Sequence, residues 1–415
     1  MIDYQVLQII WWCLVGVLLI GFALTSGMDM AVSSLLFKYG KNSGERGAII
    51  STIIPHWDGN QVWLITAGGA VFAAWPEVYA ASFSGLYFAM LLVLFGIWLR
   101  PLAFEYRHHS SDEGYLKRWD LALVVGSTIP LVIFGVAFGN LLQGLPFWAD
   151  DNLRWHYEGY FLSALLPLLN PFALLCGVMS LLMLMTQGAT WVQLRCQGEI
   201  VERANKVAKI TATLCLVVFA VAGIWAYSFD GFSLVNTPAD GSYYAITGKE
   251  VVRTAHGLFA NYEKAPIAVI FPILAFGGFA FALLSAIKKR PGRGILGTIL
   301  GIVGTIATPA VALFPFILPS SKDLSSSLTV FDATSSHLTL QVMFIVTCIF
   351  VPIALSYTIW AYVKMWHKAP LTLTGNTYEG LGDHMLYFFW IVGLLGAVAL
   401  TCLVAYLIEK WENFI

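Results

Sequence analysis

Apolar runs dominate this chain so heavily that short polar connections, rather than any helix or strand periodicity, mark its elements. Runs long enough to cross a bilayer, which takes about 20 residues, cover roughly 6–33, 54–75, 79–100, 119–141, 160–187, 207–228, 265–286, 294–316, 338–364 and 385–408. This pattern predicts an all-α polytopic integral membrane protein that crosses the bilayer nine or ten times. The first run reads as a retained helix, because no basic segment precedes it and no small-residue cleavage site follows. The second run is atypical. It opens Pro55-His56-Trp57-Asp58-Gly59-Asn60-Gln61, too polar for a lipid-facing helix. Its Gly68-Gly69-Ala70 step would let another helix come close, so the run reads as protein-facing.

Composition removes the soluble alternatives. Of 415 residues, 58% are hydrophobic and 11% charged, against about 25% charged in soluble domains. No separate soluble domain is expected: residues 1–366 form one membrane-embedded core, and 367–415 an extension carrying the tenth run. A net charge of −1 offers no footprint for nucleic acid. The six cysteines, Cys13, Cys176, Cys196, Cys215, Cys348 and Cys402, include no C-x-x-C pair and read as small buried hydrophobes.

Most of the 23 Lys and Arg fall after odd-numbered runs, among them Lys38, Lys41, Arg46, Arg107, Lys117, Arg118, Arg195, Arg203, Lys288, Lys289 and Arg290. The positive-inside rule places these connections in the cytoplasm and the N-terminus outside. Of the opposite connections, 229–264 reads as a small ordered cap. In 314–337, prolines stop the eighth run and the cluster Asp332-Ala-Thr-Ser-Ser336 is expected to cap the ninth.

Carboxylates at membrane depth are the residues most informative about chemistry, because charge in hydrocarbon is costly and persists with a purpose. Asp29, Asp58 and Glu105 lie near one depth at the cytoplasmic ends of three consecutive runs, so a shared polar pocket serving proton entry is expected. The bland reading is helix capping or interface pairing; for Glu105, with Arg100 and Arg107 nearby, pairing is preferred. Trp63 is a candidate wall of the pocket. Among the eight histidines only His56 sits at depth, and it reads as a hydrogen-bonded structural residue rather than an axial haem ligand. Tryptophans near run ends, including Trp11, Trp75, Trp98 and Trp360, read as an interfacial belt.

Several stretches occur in order over residues 1–366: Met1-Ile-Asp-Tyr4, Ile54-Pro-His-Trp-Asp-Gly-Asn-Gln-Val-Trp-Leu64, Gly68-Gly-Ala-Val-Phe-Ala-Ala-Trp-Pro76, Arg100-Pro-Leu-Ala-Phe-Glu-Tyr-Arg107, Gly135-Val-Ala-Phe-Gly-Asn-Leu-Leu-Gln-Gly144, Leu169-Asn-Pro-Phe172, Thr186-Gln-Gly-Ala-Thr190, Phe314-Pro-Phe-Ile-Leu-Pro-Ser-Ser321 and Asp332-Ala-Thr-Ser-Ser336. Together they resemble subunit II of the cytochrome bd quinol oxidases. The resemblance implies a nine-helix fold paired with subunit I, in a complex that oxidises quinol, reduces dioxygen to water and builds a proton-motive force. It implies that two b-type haems and one d-type haem reside in subunit I and that this chain alone binds no cofactor. Subunit II would complete the interface near the haems and bring protons in through Asp58 and Glu105, with Trp63 beside them. A structural quinone and single-helix accessory subunits are further expectations.

Three positions depart from the family pattern. Ser26 stands where the first helix commonly carries an acid, leaving Asp29 as the second of the pair. Gln61 stands where many members have Glu, and Glu105 replaces an Asp of some relatives. The run 385–408 extends beyond the usual ninth helix and is expected to occupy a surface that an accessory helix covers in relatives. The alternative from another class is a proton-coupled secondary transporter, which inverted repeats or helices broken at mid-membrane would favour; the sequence shows neither.

Overall fold

A computed structural model describes residues 2–150, 152–159, 162–235 and 249–366. The expected tenth helix, 385–408, lies outside them. Among the described residues nine long helices succeed one another: α1 (Tyr4–Ser34), α2 (Trp57–Ala74), α3 (Tyr87–His109), α4 (Glu113–Gln143), α5 (Pro171–Arg195), α6 (Glu199–Tyr227), α7 (Pro266–Ile287), α8 (Pro291–Leu313) and α9 (His337–Lys364). Eight are long and apolar enough to span a membrane. The ninth, α2, has 18 residues, about 27 Å at 1.5 Å per residue, but its polar first turn lowers its hydropathy. Three two-stranded hairpins join helices at one end: Phe147–Ala149 with Trp155–Tyr157, Asp230–Leu234 with Val251–Ala255, and Phe316–Leu318 with Leu328–Thr329.

Local chemistry sets the helix starts. Asn170 caps α5 by accepting from the Ala173 N–H at 2.9 Å, with Pro171 in the first turn. The apolar run 160–187 therefore begins as helix α5 only at 171 and continues to Arg195. Likewise the run 79–100 is divided: a short helix, Pro76–Gly85, ends at a turn, and α3 starts at Tyr87. Ser336, not Asp332, caps α9. Asp332 instead accepts from the Thr329 N–H at 2.8 Å and pairs with Lys249, both side chains fully buried. Burial pushes its carboxyl up from the usual range, against the pull of Lys249.

Small residues bring the helices together. A Cβ on Gly135 of α4 would sit 2.4 Å from the Cys176 carbonyl oxygen of α5, and one on Gly278 of α7 would sit 2.2 Å from the Gly301 nitrogen of α8. These are backbone-to-backbone approaches that only glycine permits. The predicted close approach at Gly68 and Gly69 does not occur within the described residues: nothing lies within 4 Å of either position. That edge of α2 is open.

The two ends of the bundle differ. At the end rich in basic residues, the short helix Ser43–Ser51 lies against α4. Arg46 and Arg107 both bind the fully buried Asp120, at 2.6 and 2.7 Å, and Arg107 also donates to the Ser43 carbonyl at 3.1 Å. At the opposite end the loops are tied down by backbone carbonyls. Trp11 donates to Leu340 at 3.0 Å and Trp75 to Val330 at 3.1 Å. Both indoles are buried, so these two act as tethers rather than belt residues, whereas Trp98 and Trp360 are exposed as a belt requires.

Candidate functional site

The carboxylate expected at the end of α1 is reached through an irregular turn. Residues Ala23–Gly27 form a π-helical turn between Tyr4–Phe22 and Met28–Ser34, a feature that recurs at functional positions. The Gln187 amide of α5 donates to the Leu24 carbonyl in this turn at 3.1 Å. Asp29 follows, fully buried.

Four helices supply its surroundings. The Asn60 amide donates to Asp29 Oδ2 at 2.6 Å, and Asn60 Oδ1 accepts from the Tyr362 hydroxyl of α9 at 2.9 Å. His56, immediately before α2, places Nδ1 3.6 Å from Asp29 Oδ1 and 3.3 Å from the Asn60 amide nitrogen. Its ring stacks on Tyr362, centroids 4.5 Å apart and planes 17° apart, and meets Trp191 edge-on at 5.6 Å. Two buried arginines bear electrostatically on Asp29 without touching it, Arg100 and Arg195. The Arg100 guanidinium lies 6.0 Å from the Trp57 ring and 5.9 Å from that of Phe104, and its three nitrogens have no hydrogen-bond partner among the described residues. Arg195 lies over Trp191 and Trp366 at 4.9 and 4.6 Å. Unpaired groups at this depth are costly unless ordered water serves them.

Asp58 and Glu105 stand elsewhere. Both are exposed, and neither has a hydrogen bond or ion pair among the described residues. Asp58 continues the exposed stripe Val62, Ile65 and Phe72 along α2; Glu105 continues Trp98 and Leu102 along α3. The rings of their preceding neighbours, Trp57 and Phe104, lie 5.1 Å apart, so the two acids share one corner of the bundle. The pocket expected to hold Asp29, Asp58 and Glu105 together is thus divided, one acid inside and two facing out. The preferred pairing of Glu105 with Arg100 or Arg107 is also absent: Arg100 points into the core and Arg107 binds Asp120. Trp63 is half-buried and lies against α1; a Cβ on Gly21 would sit 2.5 Å from its ring. It packs with Phe22 and Ala23 in an apolar cluster rather than beside Asp58.

The sequence departures Ser26 and Gln61 face one another, with the Gln61 amide donating to the Ser26 hydroxyl at 2.5 Å. Residues that sequence reading missed are Asn60, Tyr362 and Arg100 around Asp29, and Asp120 between its arginines. Only the polar density of 55–61 signalled any of them. Beyond this polar region, an apolar cavity of about 630 Å³ lies among α1, α4, α5, α6, α7 and α8, with Phe22, Phe134, Met179, Phe219 and Phe276 in its walls. Among the described residues no group of three or more His, Cys, Asp or Glu is placed to hold a metal ion.

Eight helices long and apolar enough to cross a membrane among the described residues, with a buried charged cluster and exposed acids at one corner, define an integral membrane protein. Its fold is like that of a chain in the structure of bd oxidase from Geobacillus thermodenitrificans, with a TM-score of 0.62 at 12% identity, over 86% of this chain and 99% of that one. The family model "Cytochrome bd terminal oxidase subunit II" matches residues 7–365, and the chain belongs to that family. It is 48% identical over 372 residues to cytochrome bd-I ubiquinol oxidase subunit 2 of Escherichia coli strain K12, covering 89% of this chain and 96% of that protein. It is also 48% identical over 370 residues to a probable cytochrome oxidase subunit 2 of Haemophilus influenzae, with the same coverage. The chain is a terminal-oxidase subunit, and the transporter alternative finds no support.

Proposed function

We propose that this chain pairs with subunit I of a bd-type quinol oxidase in the bacterial cytoplasmic membrane, N-terminus outside, and delivers cytoplasmic protons to the site of dioxygen reduction. One observation carries the reading. Asp58 and Glu105 face out at one corner of the bundle, without partners among the described residues, beside a buried acid held by a polar network. An exposed carboxylate on a membrane helix calls for a neighbour beyond its own chain, because lipid alone would penalise it. The open edge at Gly68 and Gly69 lies on the same helix and leaves room for a helix of subunit I.

We assign the two b-type haems and the d-type haem to subunit I. The His56 ring is enclosed by side chains of its own chain, buried between Tyr362 and Trp191 with Nδ1 facing Asp29 and Asn60. The apolar cavity suits the isoprenoid tail of a structural quinone, since its walls are almost wholly hydrocarbon. The name of the Escherichia coli relative specifies ubiquinol, and we extend quinol oxidation to this complex.

The test is Asp58→Asn in the purified complex, with oxygen consumption measured per haem. Asn keeps the shape and hydrogen bonding but cannot exchange a proton. A proton-transfer barrier raised by about 3 kcal/mol would slow turnover roughly a hundredfold, with haem content near normal. Unchanged turnover per haem in Asp58→Asn and Glu105→Gln would overturn the reading.

A further inference from the structure

His56 occupies the N-cap position of α2, yet its side chain caps nothing. The ring is instead buried, clamped between Tyr362 and Trp191, with its two nitrogens in different circumstances. Nδ1 faces both the Asn60 amide, 3.3 Å away, and Asp29 Oδ1, 3.6 Å away. Among the described residues Nε2 is buried without a hydrogen-bond partner, and so is Asp29 Oδ1. The residue lies two positions before the exposed Asp58 in the chain, and its Nδ1 faces the buried Asp29.

We propose that His56 is a proton-transfer residue, taking up a proton at Nε2 from the Asp58 side and passing one from Nδ1 to Asp29. The proposal rests on the proton-delivery reading above and names the step that reading lacks. An imidazole can accept at one nitrogen while releasing from the other, returning to neutral with its proton moved across the ring. The surroundings fit both charge states. Before uptake the neutral ring carries its proton on Nδ1 and leaves Nε2 bare to accept; after the transfer the proton sits on Nε2, and the bare Nδ1 can accept from the Asn60 amide. Protonated, Nδ1–H can turn to Asp29 Oδ1, closing 3.6 Å to a hydrogen bond of about 2.9 Å. No covalent bond other than N–H and O–H is made or broken, and the proton gained at Nε2 balances the one given to the carboxylate. The proton then rests on Asp29, with the buried Arg100 and Arg195 nearby. Ordered water at Nε2 would link the ring to Asp58, as the unpaired nitrogen requires.

A merely structural histidine would serve the same packing, so the test must read proton transfer. In the purified two-subunit complex, His56→Gln keeps a polar side chain that cannot titrate. It should retain haem content while lowering oxygen consumption per haem by at least about a hundredfold, the low end of the range for loss of a general acid–base group. Its solvent deuterium isotope effect should rise, because proton transfer becomes the slow step. Normal turnover per haem with an unchanged isotope effect would overturn the proposal. If Asp58→Asn and Glu105→Gln are slow while His56→Gln is normal, this step falls and the delivery reading stands. If all three are normal, both fall. Should His56→Gln assemble poorly, a density map of the unmutated complex decides: water within hydrogen-bond distance of His56 Nε2 is expected, and an apolar contact filling that space would refute it.

Discussion

Asp29 and Asp120 on one hand, Asp58 and Glu105 on the other, are four acids at the same end of one bundle. The first two are fully buried and supplied by their own chain: Asp120 by two arginines, Asp29 by Asn60 and the nearby field of Arg100 and Arg195. The second two face outward with no partner among the described residues. Burial of a charge demands compensation within the fold, so the inner acids must hold structure together whatever else they do. The outer acids hold nothing among the described residues.

Mutation should separate the two pairs sharply. The largest effect belongs to Asp120→Ala, which leaves Arg46 and Arg107 buried without their anion. A loss of about 3–5 kcal/mol is expected, read as little assembled, haem-bearing complex in the membrane. Asp29→Asn should cost less, about 1–3 kcal/mol, because its ion partners act at a distance; thermal inactivation of the complex measures it. In Glu105→Gln, stability should stay within about 0.5 kcal/mol of the parent while turnover per haem falls. The double variant with Asp58→Asn should lose less than the sum of the two barriers if both acids feed one route. Destabilisation by Glu105→Gln as large as by Asp29→Asn would erase the distinction.

The smallest expected effect concerns a half-buried acid that does have a partner. Burial tends to raise the Glu45 carboxyl, but Arg203 at 2.8 Å and the Lys41 N–H at 2.7 Å outweigh it and hold it below the ordinary value of 4.5. A depressed acid contributes stability above its unfolded value and loses it as the pH falls through the folded one. Stability should therefore decline slightly more between pH 6 and pH 4 in the parent than in Glu45→Gln. The difference should be about 0.5 kcal/mol, the scale of a screened surface pair.

The membrane fold is legible in the sequence because each apolar run must satisfy its backbone internally and so becomes helix. Boundaries were less so. Hydropathy continues across Gly85–Leu86, where the chain turns, and fades before Arg195, where helix α5 ends. The Asn170-Pro171 pair was the readable start signal for α5 and outranks hydropathy there. The site was half legible. Depth along the sequence identified Asp29, Asp58 and Glu105, but depth says nothing about which way a side chain faces. In α2 polar residues occur on both the buried and the exposed side, Asn60 and Gln61 inward and Asp58 outward. Tyr362 lies 302 positions from Asn60, and no local pattern announces so distant a contact.

The irregular turn in α1 decides which way Asp29 faces. An α-helix advances about 100° per residue, and a π-helical turn absorbs one residue beyond the regular count. Everything after Gly27 is therefore out of phase with Tyr4–Phe22 by about that angle. Drawn as one uninterrupted cylinder, α1 would aim Asp29 a quarter-turn or more away from Asn60. Removing a single residue between Ala23 and Gly27 would restore the phase and swing the acid off its amide, although no residue that binds it had changed. The aim of this carboxylate is thus written in the length of a five-residue segment, independently of the identities of the side chains around it.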